Sequence, residues 1–232
     1  MSDKNALGER YGEREKIMKL DKKDLLLYAV TDRHWLNGRE LEEVVRESLD
    51  GGVTFLQIRE KNLEEESFLK EATKIKTLCQ EYNVPLVIND NVDLAIAVDA
   101  DGVHVGQSDM EAGEVRKKLG PDKIIGVSAQ TVEQAILAEK RGADYLGVGA
   151  VFPTSTKSDA KEVTYDTLKE ICNAVNIPVV AIGGITSENL AELSGSGICG
   201  IAVISAIYAQ KQIKEATKEL KTKTESMVNG NE

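Results

Sequence analysis

The sequence predicts an α/β protein built as a single (β/α)8 TIM barrel with a short N-terminal helical extension. Eight short runs rich in valine and isoleucine alternate with stretches of helical periodicity. The runs are almost continuously apolar, which is typical of parallel strands that are buried on both faces. The chain of 232 residues has the length of one such barrel, and eight strand–helix units favour a closed barrel over an open sheet.

The eight predicted strands follow one another without a linker or a low-complexity segment between them. They are LLLYAVTDR (25–33), FLQIRE (55–60), PLVIND (85–90), GVHVG (102–106), IIGVSA (124–129), YLGVGAV (145–151), VVAIGG (179–184) and GIAVISA (200–206). In this fold the chemistry takes place where the strands end and lead into the helices. The polar residues at those ends are therefore the candidate functional residues.

Apolar spacing and capping residues predict the helices. The first, over 37–50, stops at Gly51-Gly52, and the second covers 64–82 with its apolar side chains on one face. Thr131 and Ser187 are predicted caps of the helices after strands five and seven. A polar helix over 208–224 should close the barrel.

We expect three segments: an N-terminal extension over 1–24, the barrel over 25–224 and a frayed tail over 225–232. The extension should contain a short helix near 13–20 that covers the bottom of the barrel, with a mobile tip before it.

Composition and charge disfavour several classes of function. A formal net charge of −10 makes the protein a poor candidate for binding nucleic acid or an anionic membrane. The longest apolar run, 197–209, is too short to span a bilayer, and the polar N-terminus does not resemble a signal peptide. Cys79, Cys172 and Cys199 are too scattered for a disulfide framework or a zinc site. We therefore expect reduced thiols and a cytoplasmic protein.

Three polar residues alternate at the end of the second strand: Gln57, Arg59 and Lys61. A period of two places their side chains on one face of an extended chain, which points with Phe55 into the barrel mouth. An amide and two cations converging from one strand suit a polar ring that carries a polyanionic group. The alternative is an exposed strand end whose cations pair with neighbouring glutamates.

Two carboxylates follow adjacent strands, Asp90 after the third and Asp109 after the fourth. Such oxygen ligands hold Mg²⁺, which usually keeps several waters and takes further ligands from substrate phosphates. Each aspartate could instead cap the helix that follows it. Their position opposite Arg59 and Lys61 favours the metal site.

Three other residues carry weaker signals. Ser128 ends the fifth strand and is a candidate for substrate contact. His104 lies between two valines of the fourth strand, which favours a hydrogen-bonded histidine inside the barrel over a catalytic one. His34 follows the first strand beside Trp35, and the sequence indicates no partner for it.

The loop after the sixth strand, over 151–160, contains Thr154, Ser155, Thr156 and Lys157. It could close over an anionic substrate, with the lysine as a point charge and the threonines as donors. The alternative is a flexible, solvated loop.

Strands seven and eight end in Gly183-Gly184 and Ile204-Ser205. Backbone N–H groups at these two strand ends commonly bind phosphate in TIM barrels, and glycine lets the phosphate approach the main chain closely. The sequence thus predicts two anion sites across one barrel mouth, a metal-bound site and a phosphate site.

A set of motifs occurs in order from about residue 25 to 208: VTDR, GVTFLQIREK, VIND, GVHVGQSDM, GVSAQT, GAVFPTSTKSDA, AIGGI-x-x-EN and AVISAI. This set resembles the thiamine phosphate synthase family. The resemblance implies a Mg²⁺-dependent transferase that joins 4-amino-2-methyl-5-(diphosphooxymethyl)pyrimidine to 4-methyl-5-(2-phosphoethyl)thiazole. The products would be thiamine phosphate and pyrophosphate.

The resemblance also implies roles for individual residues. The pyrimidine diphosphate would contact Gln57, Arg59, Lys61, Asn89, Ser128 and Lys157. The thiazole phosphate would contact Thr154, Thr156, Gly184, Ile204 and Ser205, with Ser155 at a variable position of the same loop. Asp90 and Asp109 would hold Mg²⁺, and the residues that act on the reaction itself would be Arg59, Lys61, Ser128 and Lys157.

In this family the bond to pyrophosphate breaks first, and the thiazole nitrogen attacks the resulting pyrimidinylmethyl cation. Two alternatives use the same barrel without this reaction. A thiazole tautomerase would have little use for a pair of metal ligands and the Q-x-R-x-K motif. A non-catalytic barrel that binds thiamine intermediates would not need all of the charged positions. The sequence does not indicate an oligomeric state.

Overall fold

The computed structural model describes residues 20–61, 63–107, 109–154 and 162–230. Within these ranges eight parallel strands each pair with the next, and the last pairs with the first to close a barrel. The strands are β1 (Leu27–Val30), β2 (Phe55–Ile58), β3 (Leu86–Asn89), β4 (Gly102–Val105), β5 (Ile124–Ala129), β6 (Tyr145–Gly149), β7 (Val179–Ile182) and β8 (Gly200–Val203). The predicted (β/α)8 barrel is confirmed.

Helices surround the barrel. They are α1 (Leu41–Asp50), α2 (Glu65–Tyr82), α3 (Val92–Ala97), α4 (Ala112–Leu119), α5 (Val132–Lys140), α6 (Tyr165–Ala174), α7 (Ser205–Tyr208) and α8 (Ile213–Asn229), with 3-10 helices at Lys22–Leu25, Arg33–Trp35 and Leu190–Leu193. Helix α1 begins later than predicted because Asn37 and Gly38 have positive φ angles of 50° and 84°. In the described part of the chain, no helix combines the length and the apolar character needed to cross a bilayer.

The segment after β7 differs from the prediction. We expected an α-helix capped by Ser187, but the chain forms only the 3-10 helix Leu190–Leu193. The Asn189 side chain accepts from Thr186 N at 2.8 Å and donates to the Gly184 carbonyl at 2.9 Å, which folds the loop back on the strand end. Gly195, with φ 79°, follows closely. The segment thus has no room for a longer helix.

The C-terminal end of the chain also departs from expectation. The tail does not fray after Thr224, because α8 continues through Asn229 with Thr224 and Met227 buried on the same face as Leu220. At the other end, most of the helix predicted near residues 13–20 lies outside the described residues. The described part begins at Leu20, and Leu25 is fully buried beneath the barrel.

The barrel separates two hydrophobic cores. Alternate strand residues such as Leu56 and Ile58 point outward and pack against the helices. The inward set includes Tyr28, Phe55 and Tyr145, whose rings meet edge to face with centroids 4.8–5.9 Å apart. These rings fill the barrel interior and form the floor beneath the carboxyl ends of the strands.

Candidate active site

The carboxyl ends of the strands open into a cavity of about 350 Å³, a volume suited to a small molecule. Most of the residues predicted from sequence line it: Gln57, Arg59, Asn89, Asp109, Ser128, Thr154, Gly184, Ile204 and Ser205. The strand ends therefore bring together side chains that are widely separated along the chain.

Five other predicted residues are not among those that line this cavity, and one of them, Asp90, lies beside the lining residue Asp109. Strand β2 ends at Ile58, so the alternation of side chains does not extend to Lys61, which lines an adjoining groove with Asp32 and Glu60. The structure therefore does not bring Lys61 into the cavity with Gln57 and Arg59. The predicted residues Ser155, Thr156 and Lys157 lie outside the described residues.

A carboxylate orients Arg59 at the edge of the cavity. Its guanidinium lies 3.3 Å from Asp32 Oδ2, and its backbone N–H donates to Thr31 Oγ1 at 3.0 Å. Both side chains of the ion pair are mostly buried, at 16% and 21% exposure. The pair holds the cation in place, while the remaining N–H groups of the guanidinium leave it able to bind an anion.

Asp90 and Asp109 lie close enough to repel each other. Burial and the neighbouring Asp109 raise the pKa of Asp90 to about 6, against the lowering influence of Asn89 and Arg59. Asn89 Nδ2 donates to Asp90 Oδ2 at 2.5 Å, and Gly106 N donates to Asp109 Oδ2 at 2.7 Å. Two carboxylates that resist simultaneous ionisation make a favourable position for a cation.

The capping alternative for these two aspartates is wrong. Asn91 caps α3, since its side chain accepts from Leu94 N at 2.9 Å. Glu111 caps α4, since its side chain accepts from Gly113 N at 3.2 Å. Asp90 itself has a φ of 60° and precedes the cap of α3.

Two glycines form the opposite wall, at the end of β7. Gly183 and Gly184 have φ angles of 100° and 67°, a region that favours glycine. A Cβ on Gly184 would lie 2.5 Å from the Pro153 carbonyl oxygen and 2.7 Å from that of Phe152. The close approach of these loops requires glycine at this position. In the closed barrel β7 lies across from β3, so this wall faces the carboxylates.

A hydrogen-bonded histidine lines the cavity inside the barrel, where the sequence predicts it. His104 Nδ1 is 3.0 Å from the Tyr145 hydroxyl, and its Nε2 is 2.9 Å from Ser128 Oγ. The ring is buried between β4 and its neighbours. His104 thus connects Ser128 to the aromatic floor.

The chain matches a family model described as thiamine monophosphate synthase over residues 27–207, which is most of its length. The chain belongs to the thiamine monophosphate synthase family. A thiamine-phosphate synthase of Clostridium tetani is 53% identical over 197 residues, covering 85% of this chain and 94% of that protein. The corresponding protein of Ruminiclostridium cellulolyticum is 54% identical with the same coverage. A solved thiamine phosphate pyrophosphorylase from Pyrococcus furiosus is 41% identical, with a TM-score of 0.83 over 89% of this chain and 98% of that one.

As a thiamine monophosphate synthase, the protein is a transferase that forms thiamine phosphate. The predicted family and activity are confirmed. The relatives just described are named for the synthase reaction, which disfavours the tautomerase and non-catalytic alternatives.

Sequence reasoning missed three residues of this synthase site. Asp32, which orients Arg59, lies within the predicted first strand, where no motif indicated a functional role for it. Tyr28 and Tyr145 lie in apolar strand sequences, which indicate core aromatic rings. Their hydroxyls nevertheless form a hydrogen bond with each other, at 2.9 Å. One signal was available: Gly126 leaves space for the Tyr145 ring, which an added Cβ would approach to 2.2 Å. Glycines at inward positions of β5 and β6 thus indicate large side chains beside them.

Proposed function

We propose that the cavity holds an aminopyrimidine diphosphate and a thiazole phosphate together and joins them, with Mg²⁺ bound to the diphosphate. The observation that carries this proposal is the arrangement of charge across the cavity. Arg59 and Asp109 line the β2–β4 side, with Asp90 beside Asp109. The glycine turn and Ser205 line the β7–β8 side. Two anionic groups of different kinds can thus bind at opposite walls.

The residues present fit Mg²⁺. Asp90 and Asp109 supply two carboxylates whose mutual repulsion, seen in the raised pKa of Asp90, a divalent cation would relieve. The described residues contain no cluster of three or more histidine, cysteine or acidic side chains that could hold a metal. An ion held by two carboxylates and completed by water and phosphate is the usual arrangement for Mg²⁺. When bound, it would neutralise charge on the diphosphate.

The reaction requires a good leaving group more than a protein nucleophile. The bond between the pyrimidine methylene carbon and the diphosphate oxygen breaks, and both electrons leave with pyrophosphate. The thiazole nitrogen then donates its lone pair to that carbon. Arg59, fixed by Asp32, stabilises the negative charge that develops on the leaving oxygen.

The other predicted residues position the two substrates. Gln57, Asn89 and Ser128 line the cavity and present hydrogen-bonding groups to the aminopyrimidine ring. Gly184, Ile204 and Ser205 hold the thiazole phosphate through close backbone approach, beside Thr154. Placing the thiazole nitrogen in line with the reacting carbon supplies much of the rate enhancement.

The loop over residues 155–157 is proposed to complete the site. Lys157 would add a second positive charge for the leaving pyrophosphate, and Ser155 and Thr156 would add hydroxyl donors near the phosphate. Lys61 in the adjoining groove would approach the diphosphate from outside the cavity. These roles rest on the motif resemblance alone.

The proposed location is the cytoplasm. Cys79, Cys172 and Cys199 are free thiols, and burial raises the pKa of Cys79 to about 12. Free thiols are usual in proteins of a reducing compartment.

The metal assignment is tested by comparing Asp109→Asn with Asp122→Asn. Asp122 is an exposed aspartate between α4 and β5, far from the cavity, and provides the matched control. We expect Asp109→Asn to raise the Mg²⁺ concentration for half-maximal activity at least tenfold, because losing even a group that only supports a metal ligand typically costs roughly 10–100-fold in metal affinity. The control should behave as wild type. Equal Mg²⁺ dependence in both variants would exclude Asp109 as a ligand.

A further inference from the structure

Both carbonyl groups of the glycine turn after β7 accept a hydrogen bond from another part of the chain. The Gly183 carbonyl accepts from Phe152 N at 3.1 Å, and the Gly184 carbonyl accepts from Asn189 Nδ2 at 2.9 Å. The turn itself, at Gly183, Gly184 and Ile185, lines the cavity. Phe152 and Asn189 are described by the structure but are not among the lining residues. The two partners therefore hold the turn from behind.

These two bonds set the direction of the N–H groups in the turn. The peptide units 183–184 and 184–185 are both trans, and in a planar trans peptide the N–H points away from the carbonyl. The N–H groups of Gly184 and Ile185 therefore point away from Phe152 and Asn189, toward the cavity. Within the described residues, neither of these N–H groups donates to a protein acceptor. Two backbone donors are thus available to an anion in the cavity.

Asn189, the last residue of the AIGGI-x-x-EN motif, is itself held in place. Its Oδ1 accepts from Thr186 N at 2.8 Å, so the same amide makes a second bond within the loop. The next residue, Leu190, is 2% exposed and packs in the core between the barrel and the helices. Helix α8 supports the loop from outside, where Lys223 Nζ donates to the Ser187 carbonyl at 3.1 Å. A side chain fixed in this way can hold the peptide that it contacts in one orientation.

We infer that Asn189 is a positioning residue for phosphate binding: it holds the 184–185 peptide so that the Ile185 N–H, beside the Gly184 N–H, binds the phosphate of the thiazole substrate. The side chain acts through the backbone and not by touching the substrate. A glycine peptide released by Asn189 can rotate, because glycine tolerates many backbone conformations. Rotation replaces an N–H donor with a carbonyl oxygen, which repels an anion. This inference rests on the proposed function, which places the thiazole phosphate at this turn.

Two variants remove the bond to Gly184 in different ways. Asn189→Asp has the same shape and keeps an acceptor for Thr186 N, but it lacks the amide donor and adds a charge. Asn189→Ala loses both bonds and adds no charge. Both variants should raise KM for the thiazole phosphate roughly tenfold, because a hydrogen bond to a charged group contributes about a factor of ten or more to affinity. The phosphate does not react, so kcat should change by less than about threefold.

The phosphate group itself separates a positioning role from general damage to the fold. The thiazole alcohol is the same ring without its phosphate, and its kcat/KM should stay within about twofold of wild type in both variants. KM for the aminopyrimidine diphosphate should not change, because its proposed site is the opposite wall of the cavity. The preference for the phosphorylated thiazole should therefore fall roughly tenfold.

Ser196→Ala is the matched control. Ser196 follows the 3-10 helix of the same segment and is 1% exposed, and its Oγ donates to the Leu193 carbonyl at 2.7 Å. Its loss removes a buried bond from a side chain to the backbone and leaves the glycine turn intact. The control should lower Tm and leave the kinetic constants for all three substrates as in wild type.

An unchanged KM for the thiazole phosphate in the Asn189 variants would overturn the inference. A rise confined to Asn189→Asp would indicate charge repulsion, and an equal loss with the thiazole alcohol would indicate a general structural role; either result would also overturn it. If Asn189→Ala does not melt as a folded protein, Asn189→Ser decides with the same ratio, since it is also uncharged and its hydroxyl can accept from a nearby N–H. Wild-type protein that forms no thiamine phosphate would instead contradict the proposed function.

Discussion

Replacing Gly184 by alanine tests how the wall opposite the carboxylates is built. Gly184 has a φ of 67°, and an added Cβ would meet the carbonyl oxygens of Pro153 and Phe152 at 2.5 and 2.7 Å. These are backbone atoms, so the clash cannot be relieved by turning a side chain. The loop after β6 or the turn after β7 has to move, and Thr154 with it.

The loss of folding free energy expected for Gly184→Ala has two parts. Placing an L-residue in the left-handed region costs about 1–2 kcal/mol, and forcing an extra methyl group into a packed site costs about 1–3 kcal/mol. Together they lower the free energy of unfolding by roughly 2–5 kcal/mol. For a chain of this size that corresponds to a fall of roughly 5–15 °C in Tm.

Gly142→Ala is the matched control. Gly142 also has a positive φ, of 91°, but a Cβ there would come no closer than 3.7 Å to a neighbour. We expect Gly142→Ala to cost only the backbone part, with unchanged kinetics. Gly184→Ala should lose more stability and raise KM for the thiazole phosphate at least tenfold, measured by thermal melts and initial rates. Equal KM values in the two variants would refute the assignment of this turn to phosphate binding.

The remaining predictions concern charge. An unfolded aspartate titrates near pH 3.9, and the folded pKa of Asp90 is about 6, so its contribution to stability is present below pH 4 and lost as pH rises through 6. Asp90→Asn should thus stabilise the metal-free protein above pH 6 and not below pH 4. The gain should be under about 1 kcal/mol, because the Asp90 side chain is only partly buried and solvent screens its charge. An equal effect at both pH values in urea titrations would contradict this. Asp101→Asn should lower the free energy of unfolding in urea by about 2–3 kcal/mol, because Asp101 accepts from Lys76 Nζ and Leu86 N at 2.8 Å in a mostly buried ion pair. Glu114→Gln, which breaks an exposed ion pair, is the control. An equally small loss of stability in both variants would contradict this prediction. Lys157→Ala should lower the single-turnover rate of bond formation roughly a hundredfold with little change in substrate affinity, and an unchanged rate would remove its proposed role.

The fold could be predicted because strand and helix leave strong local signals. Apolar runs such as those around Leu56 and Val103 identify strands buried on both faces. Element boundaries that depend on tertiary contacts could not be predicted in the same way. Asn189 ties the β7 loop back to Gly184, which replaces the expected helix with a 3-10 turn, and the burial of Met227 extends α8 beyond the predicted end.

The site could be predicted where the fold brings strand ends together. Gln57, Asn89 and Ser128 reach one cavity because the barrel is closed. Lys61 does not, because the strand stops before it and the alternation of side chains stops as well. The hydroxyls of Tyr28 and Tyr145 could not be distinguished from core aromatic rings by sequence, since their partners lie on other strands.

Product formation is the most direct test of the central claim. Purified protein is incubated with the aminopyrimidine diphosphate and the thiazole phosphate, with and without Mg²⁺, and thiamine phosphate and pyrophosphate are quantified. We predict equal amounts of both products with Mg²⁺ and little of either without it. Absence of product with Mg²⁺, while thiazole phosphate still binds, would contradict the proposed reaction and the proposed metal role of Asp90 and Asp109.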